Sequence, residues 1–199
     1  MNKKSNNTNA CFCIPDNSEL RIAISGRSGC GNTTVSRLLA ETLGIAFINY
    51  TFRSLALELN ISFEEIIENA KKDFIYDKMV DTKQIELAGK TSCVLGSRLA
   101  IWMLEDADLK IYLTASEYVR AKRIQKREGG DFQEIREYTA MRDAEDTRRY
   151  WELYQIDNTD FSVADMVINV ENYFPEQIVQ IIVEELIEKE MLLRGKAAD

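Results

Sequence analysis

Residues Arg21–Gly44 read RIAISGRSGCGNTTVSRLLAETLG, and this stretch decides the fold. RIAIS (Arg21–Ser25) is a short β-branched run ending at a glycine, the pattern of a buried strand. Gly26, four residues and Gly31 give the spacing of a phosphate-binding loop, with Thr33 where a magnesium-binding hydroxyl belongs. Val35, Leu38, Leu39 and Leu43 then recur at helical spacing, and Gly44 is a natural stop. Gly26, Gly29 and Gly31 let the backbone curl so that successive N–H groups point inward, and the helix adds its positive N-terminal end. Strand, loop and helix in that order are the context that supports phosphate binding. One residue departs: Asn32 stands in the slot that usually holds lysine.

Other apolar runs separate helical patterns along the chain. Strands are expected at Ile45–Asn49, Thr91–Gly96, Leu109–Leu113 and Met166–Val170. Helices are expected from Ser116 to about Glu128, from Asp131 to about Tyr154, and from Pro175 onward. Residues 51–88 carry no good strand and read as a helical insertion, with Ser62 and Glu65 at capping-box spacing. Strands alternating with helices imply an α/β, three-layer fold of the P-loop NTPase type around a central parallel five-stranded sheet. Ligands on such sheets bind at the C-terminal strand ends, where this loop lies.

Composition narrows the chemistry. The 199 residues are 45% hydrophobic and 29% charged, enough apolar content for a single domain with a sizeable core. The 25 basic against 33 acidic residues give a net charge of −8, the wrong sign for a general nucleic-acid binder. No histidine is present, which removes imidazole bases, His metal sites and Ser/His or Cys/His nucleophile pairs. Phosphoryl transfer needs none of these, because it relies on positioning and cationic charge. The four cysteines (Cys11, Cys13, Cys30, Cys93) form no CxxC pair and suit a reducing cytoplasm. Cys30, near a helix N-terminus, has two readings: a thiol of lowered pKa, or a small residue fitted to a tight loop. The second is favoured. No apolar run approaches membrane-spanning length. Residues 1–20, MNKKSNNTNACFCIPDNSEL, read as a flexible extension, with CFC only a weak metal or redox pair.

Six further segments carry a resemblance to a known family. They are FRSLA (Phe52–Ala56), SRLAIWM (Ser97–Met103), ADLKIYL (Ala107–Leu113), VRAKRIQKREG (Val119–Gly129), RRYWELYQID (Arg148–Asp157) and DMVIN (Asp165–Asn169). With the loop, and in this order, they resemble the cytidylate (CMP) kinases, most closely the archaeal-type branch. That branch also lacks the loop lysine. The similarity spans about Arg21 to Leu192.

The resemblance implies transfer of the ATP γ-phosphoryl group to CMP, and to dCMP, with magnesium, in a cytoplasmic monomer. It implies ATP phosphates on Gly26, Arg27, Ser28, Gly29, Cys30, Gly31, Asn32, Thr33 and Thr34, with Thr33 on the metal. Arg53 and Arg98 match arginines at the acceptor nucleotide. Arg142 and Arg149, seven residues apart on one helical face, match lid arginines that reach both phosphates. Arg123 and Arg127 match basic positions at the start of the lid, 127–150, and are expected at ATP. Residues 51–88 correspond to the acceptor-binding insertion. Asp143 and Asp146 either orient arginines, touch magnesium through water, or form salt bridges within the helix. Arg120, Arg136 and Arg148 read as solvated helix faces, and Trp102 and Tyr150 as packing residues.

Three departures lie near the expected phosphates: Asn32 replaces the branch's threonine, FINYTFR lacks the usual Gly-Asp before FR, and Gly96-Ser97 stand where Glu-Gly is usual. They keep two alternatives open: a catalytically impaired nucleotide-binding relative, and a kinase for a different monophosphate.

Overall fold

The computed structural model describes residues 12–16 and 18–195. In chain order these form β1 (Phe12–Cys13), β2 (Arg21–Gly26), α1 (Asn32–Leu43), β3 (Ala46–Ile48), α2 (Phe52–Leu59), α3 (Phe63–Ala70) and α4 (Ile75–Ala88). There follow β4 (Cys93–Gly96), α5 (Ala100–Met103), β5 (Leu109–Thr114), α6 (Glu117–Glu128), α7 (Phe132–Tyr154), β6 (Met166–Asn169), α8 (Pro175–Glu188) and β7 (Leu193–Arg194).

The five expected strands form one parallel sheet in the order β3-β4-β2-β5-β6. The chain runs outward from β2 to β3, returns through β4, then crosses to β5 on the other side. The loop after β2 therefore opens into the crevice where the winding reverses. Successive residues of β2 point to opposite faces. Ile22 and Ile24 meet α1 and α8 in one apolar layer with Leu39, Ile111 and Ile182. Ala23 faces the other layer, with Leu95, Ile101, Leu104 and Ala88. Burial on both faces explains why the strands read as continuous apolar runs.

The helical insertion is three helices with a small core of their own, Leu55, Ala56, Ile66 and Val80. Thr51 and Ser62 cap α2 and α3, the latter accepting from the Glu65 N–H at 3.0 Å. The expected lid comprises the end of α6, a turn and most of α7. Gly129 and Gly130 have φ of 76° and 94° in that turn, and Asp131 caps α7 through Gln133 and Glu134 N–H.

Two expectations change. The short α5 has no counterpart in the sequence reading. The described residues of the expected extension are also anchored. Phe12 and Cys13 pair antiparallel with Arg194 and Leu193, Phe12 and Ile14 pack on the core, and Leu20 is buried. Apolar side chains interspersed among Asn, Ser and Pro are anchored by a C-terminal strand that no local pattern announces. Cys11 lies outside the described residues.

Gly96 shows how one departure from the archaeal pattern fits. A Cβ there would lie 2.5 Å from Ser36 Oγ and 2.7 Å from Ser36 Cβ, so α1 packs on β4 through the missing side chain. Gly96→Ala is expected to cost about 1–3 kcal/mol of stability through overpacking, measured by urea unfolding. An unchanged midpoint would show that α1 does not approach β4 this closely.

Candidate active site

The phosphate loop sits on the wall of a cleft of about 1150 Å³, larger than the usual pocket for one small ligand. Gly31 caps α1 in the left-handed region at φ 96°, with no side-chain cap on the helix. The first-turn N–H groups are thus left for a ligand, as at anion-binding helix ends. Gly29, at φ 88°, lies against α6, where a Cβ would come within 2.9 Å of the Arg120 carbonyl. Asn32 folds back and donates from Nδ2 to the Gly26 carbonyl at 2.6 Å, closing the base of the loop. Its Oδ1 is buried without a partner. The lysine slot therefore holds a structural amide rather than a cation. Thr33 is exposed at the helix start, and Thr34 beside it also lines the cleft.

Ser28 is held by two arginines. Arg120 donates from Nη1 to the Ser28 carbonyl at 3.1 Å, and Arg98 donates from Nη2 to Ser28 Oγ at 3.0 Å. Each also carries a carboxylate of α7: Arg120 pairs with Asp143 at 2.7 Å and Arg98 with Asp146 at 2.6 Å. Arg27 adds a longer approach to Asp143, 3.9 Å. Asp143 and Asp146 thus bind arginines across the cleft floor and make no salt bridge within their own helix. The reading of Arg120 as a solvated residue is overturned: it is 4% exposed and locks the loop to α7. Arg136 and Arg148 match that reading, pairing at the surface with Glu117 and Glu152.

The face of α7 toward the cleft carries Arg142, Asp146, Arg149 and Tyr150, spaced four, three and one apart as one helical stripe. Arg149 pairs with Asp77 of α4 and lies 5.4 Å from the Phe74 ring centroid. Arg142 reaches the cleft and has no ion-pair partner among the described residues. Arg123 also lines it, donating to the Val170 carbonyl at 2.6 Å, and Arg127 lines it from an exposed pair with Glu128. Arg53 is the exception. It is exposed, stacks 4.1 Å from the Phe63 ring centroid and does not line the cleft.

Burial raises the Asp146 pKa, against the opposing charges of Arg98 and Arg142. Burial raises the Cys30 thiol too, against Arg120 and Arg123, which favours the reading of a small residue packed in a tight loop. Tyr150 is more than packing: its phenol, raised by burial, lies beside Asp146 and Arg98. Trp102 does pack, edge-on to Tyr112 with ring centroids 5.9 Å apart.

Sequence reasoning missed Asp77, Asp81 and Gln84 of α4, which line the cleft with Val80. Asp81 accepts from the Tyr154 hydroxyl at 2.9 Å. Burial pushes its pKa up to about 6, with Tyr154 opposing and Asp77 adding to the rise. The only available signal was their recurrence at three- and four-residue spacing, which a solvated face shows equally.

Two stability measurements check this electrostatic frame. Arg120→Met strands Asp143 without its principal partner and is expected to cost about 3–5 kcal/mol, with Arg120→Met/Asp143→Leu recovering most of it. A small loss in the single variant would deny the pair its structural role. Asp81 is protonated in both states well below pH 4. Between about pH 4 and 6 the unfolded chain has released this proton while the folded state keeps it, so stability falls across that window and levels off above 6. Asp81→Asn should therefore raise the melting temperature at pH 7.5, by up to roughly 3 kcal/mol in stability terms, and leave it unchanged at about pH 2.5, well below both values. Equal effects at both pH values would contradict this.

Known proteins resemble this chain in sequence and in fold. The sequence model of the Cytidylate kinase-like family matches residues 21–172. "Cytidylate kinase 2" of Borreliella burgdorferi is 46% identical over 171 residues, which cover 84% of this chain and 95% of that protein. "Cytidylate kinase" of Pyrococcus horikoshii is 39% identical over 166 residues, covering 82% and 86%. Among solved structures, shikimate kinase from Bacteroides thetaiotaomicron superposes with a TM-score of 0.60 at 17% identity, over 86% of this chain and 99% of that one. Deoxyadenosine kinase from M. mycoides with bound dATP gives 0.53 at 19% identity, over 84% and 100%. These two share the P-loop kinase fold alone. With its central parallel sheet, its phosphate loop and its matched sequence, the chain belongs to the cytidylate kinase-like family.

Proposed function

We infer that this chain is a cytidylate kinase, transferring the γ-phosphoryl group of ATP to CMP, and also to dCMP, to give ADP and the diphosphate. The observation that carries this is one cleft holding both an uncapped, loop-preceded helix N-terminus and the guanidinium groups of Arg98, Arg142 and Arg149. The first suits a donor's phosphates. The second suits an acceptor phosphate brought beside them, where two anionic nucleotides would otherwise repel.

The donor triphosphate lies along residues 26–34, with backbone N–H groups on its oxygens. Arg123 and Arg127 approach it from α6. Arg98 faces the acceptor phosphate, and Arg142 and Arg149 bridge acceptor and transferred group as residues 127–150 close. Arg53 reaches the acceptor only if α2 and α3 shift, since it now stacks on Phe63. An acceptor phosphate oxygen attacks the γ-phosphorus in line while the bond to the bridging β–γ oxygen breaks. No side-chain nucleophile takes part.

The residues present fit a magnesium ion held chiefly by phosphates. Thr33 offers a hydroxyl at the mouth of α1, and no cluster of three His, Cys, Asp or Glu exists among the described residues to form an all-protein cage. Bound there, the ion would supply charge neutralisation on the β- and γ-oxygens.

A second reading, a nucleotide-binding relative of reduced activity, is favoured by one observation. Asn32 spends its amide on Gly26, so no cation occupies the lysine's slot. Removing one preorganised donor typically costs about 10²–10³ in rate, within reach of the remaining arginines.

A coupled ADP-release assay with CMP, dCMP, UMP and AMP separates these readings and ranks the acceptors. CMP-dependent turnover is expected. ADP release that no monophosphate raises above background would defeat the kinase reading. Arg149→Ala should lower turnover about 100-fold or more while ATP binding stays nearly intact, because its phosphate contact forms on closure. Unchanged turnover would remove Arg149 from the site.

A further inference from the structure

The cleft changes character along its length. At the loop it offers N–H groups and guanidinium groups. At α4 it offers acceptors: Asp77, Asp81 and Gln84, one helical face interrupted only by Val80. Asp77 anchors Arg149, but Asp81 and Gln84 have no part in the proposed transfer chemistry, and the carboxylates would repel an anionic phosphate. Gln84 is 5% exposed, and its Oε1 is buried with no hydrogen-bond partner. A buried acceptor left unpaired is destabilising, and a donor brought by a ligand removes that cost. Asp77 is already held by Arg149. Asp81 takes the Tyr154 hydroxyl on Oδ2, which leaves its other oxygen to accept.

A nucleotide carries one rigid group that distinguishes otherwise similar bases by this chemistry. Cytosine and adenine bear an exocyclic amino group, a donor, where uracil bears a carbonyl, an acceptor. Resting on the kinase reading for the identity of the acceptor, we propose that Gln84 and Asp81 read its base, accepting hydrogen bonds from the exocyclic amino group of cytosine. A uracil carbonyl meets two acceptor groups in the same place. The Gln84 amide can rotate to offer its NH₂, but an ionised Asp81 cannot donate, so Asp81 is the stronger discriminator. Burial holds the Asp81 pKa high, at about 6, the behaviour of a carboxylate short of donors. Adenine presents the same amino group, so these two residues select amino-bearing bases. Exclusion of a purine falls to the shape of the pocket.

The test is equilibrium binding of CMP, UMP, dCMP and ATP by calorimetry to the wild type, Asp81→Asn and Gln84→Leu, at pH 7.5. Steady-state turnover is run alongside. Asp81→Asn is isosteric and keeps an oxygen for Tyr154, so it reports even if Gln84→Leu folds poorly. The wild type should prefer CMP over UMP. Each variant should reduce that preference about tenfold or more, with ATP affinity and the CMP:dCMP ratio unchanged. Equal losses for CMP and UMP overturn the proposal. So does a shift in the CMP:dCMP ratio, which would place these groups at the ribose, or a loss confined to ATP, which would place them at the donor. A wild type indifferent between CMP and UMP overturns it as well. Binding does not depend on turnover. A chain that transfers nothing, yet shows the expected binding ratios, defeats the kinase reading and upholds the base reading.

Discussion

Ser28 is the point on which the site turns. Its carbonyl is held by Arg120 and its hydroxyl by Arg98, and each guanidinium is anchored in turn by a carboxylate of α7. The two carboxylates are three residues apart, so they leave the helix on one face and grip the loop from two directions. Free loops are conformationally costly to order. Here the ordering is supplied in advance, by charge pairs set into the cleft floor. The middle of α7 is seated on the loop, and its first turns follow a glycine turn whose φ values only glycine adopts comfortably and return against α6, where Arg136 meets Glu117.

This arrangement explains how an acidic protein maintains a cationic cleft. Although the chain carries a net charge of −8, carboxylates on its solvated helices pair with lysines at short spacing. Inside the cleft, carboxylates serve to orient guanidinium groups. Arginine suits such a role because its planar fork can bind an anchor on one edge and present the other. Arg98 does this between Asp146 and Ser28. Arg149 is anchored by Asp77 and stays beside the same space. Removing lysine from the loop leaves a site in which positive charge arrives from neighbouring elements, and the vacated slot is filled by an amide that tightens the turn.

Much of the architecture was legible because parallel strands buried on both faces must be apolar throughout. RIAIS and LKIYL announce themselves, and glycines or caps at Gly44, Ser116 and Asp131 mark where helices begin or end. The loop was legible through its spacing, and the arginines at 142 and 149 were singled out by the resemblance to the family, with spacing placing them on one helical face. What escaped was whatever depends on distant partners. Arg120 reads as one more cation on a charged helix until the loop lands on it. Asp77 and Asp81 read as a wet face until Arg149 and Tyr154 of α7 meet them. Arg53 matches a motif, but motif spacing does not say which way a side chain turns when an aromatic neighbour such as Phe63 is within reach. The β1–β7 pairing joins segments far apart in sequence, each too short to carry a pattern of its own.

That small ribbon has a mechanical consequence. Phe12 and Cys13 lie against Arg194 and Leu193, and the side chains around them are pressed onto the layer of α1 and α8. The first and last described strands are therefore each other's zipper. Loosening either strand removes the partner of the other. A pull on either strand is therefore shared by the other and passed into the helical layer behind the phosphate loop.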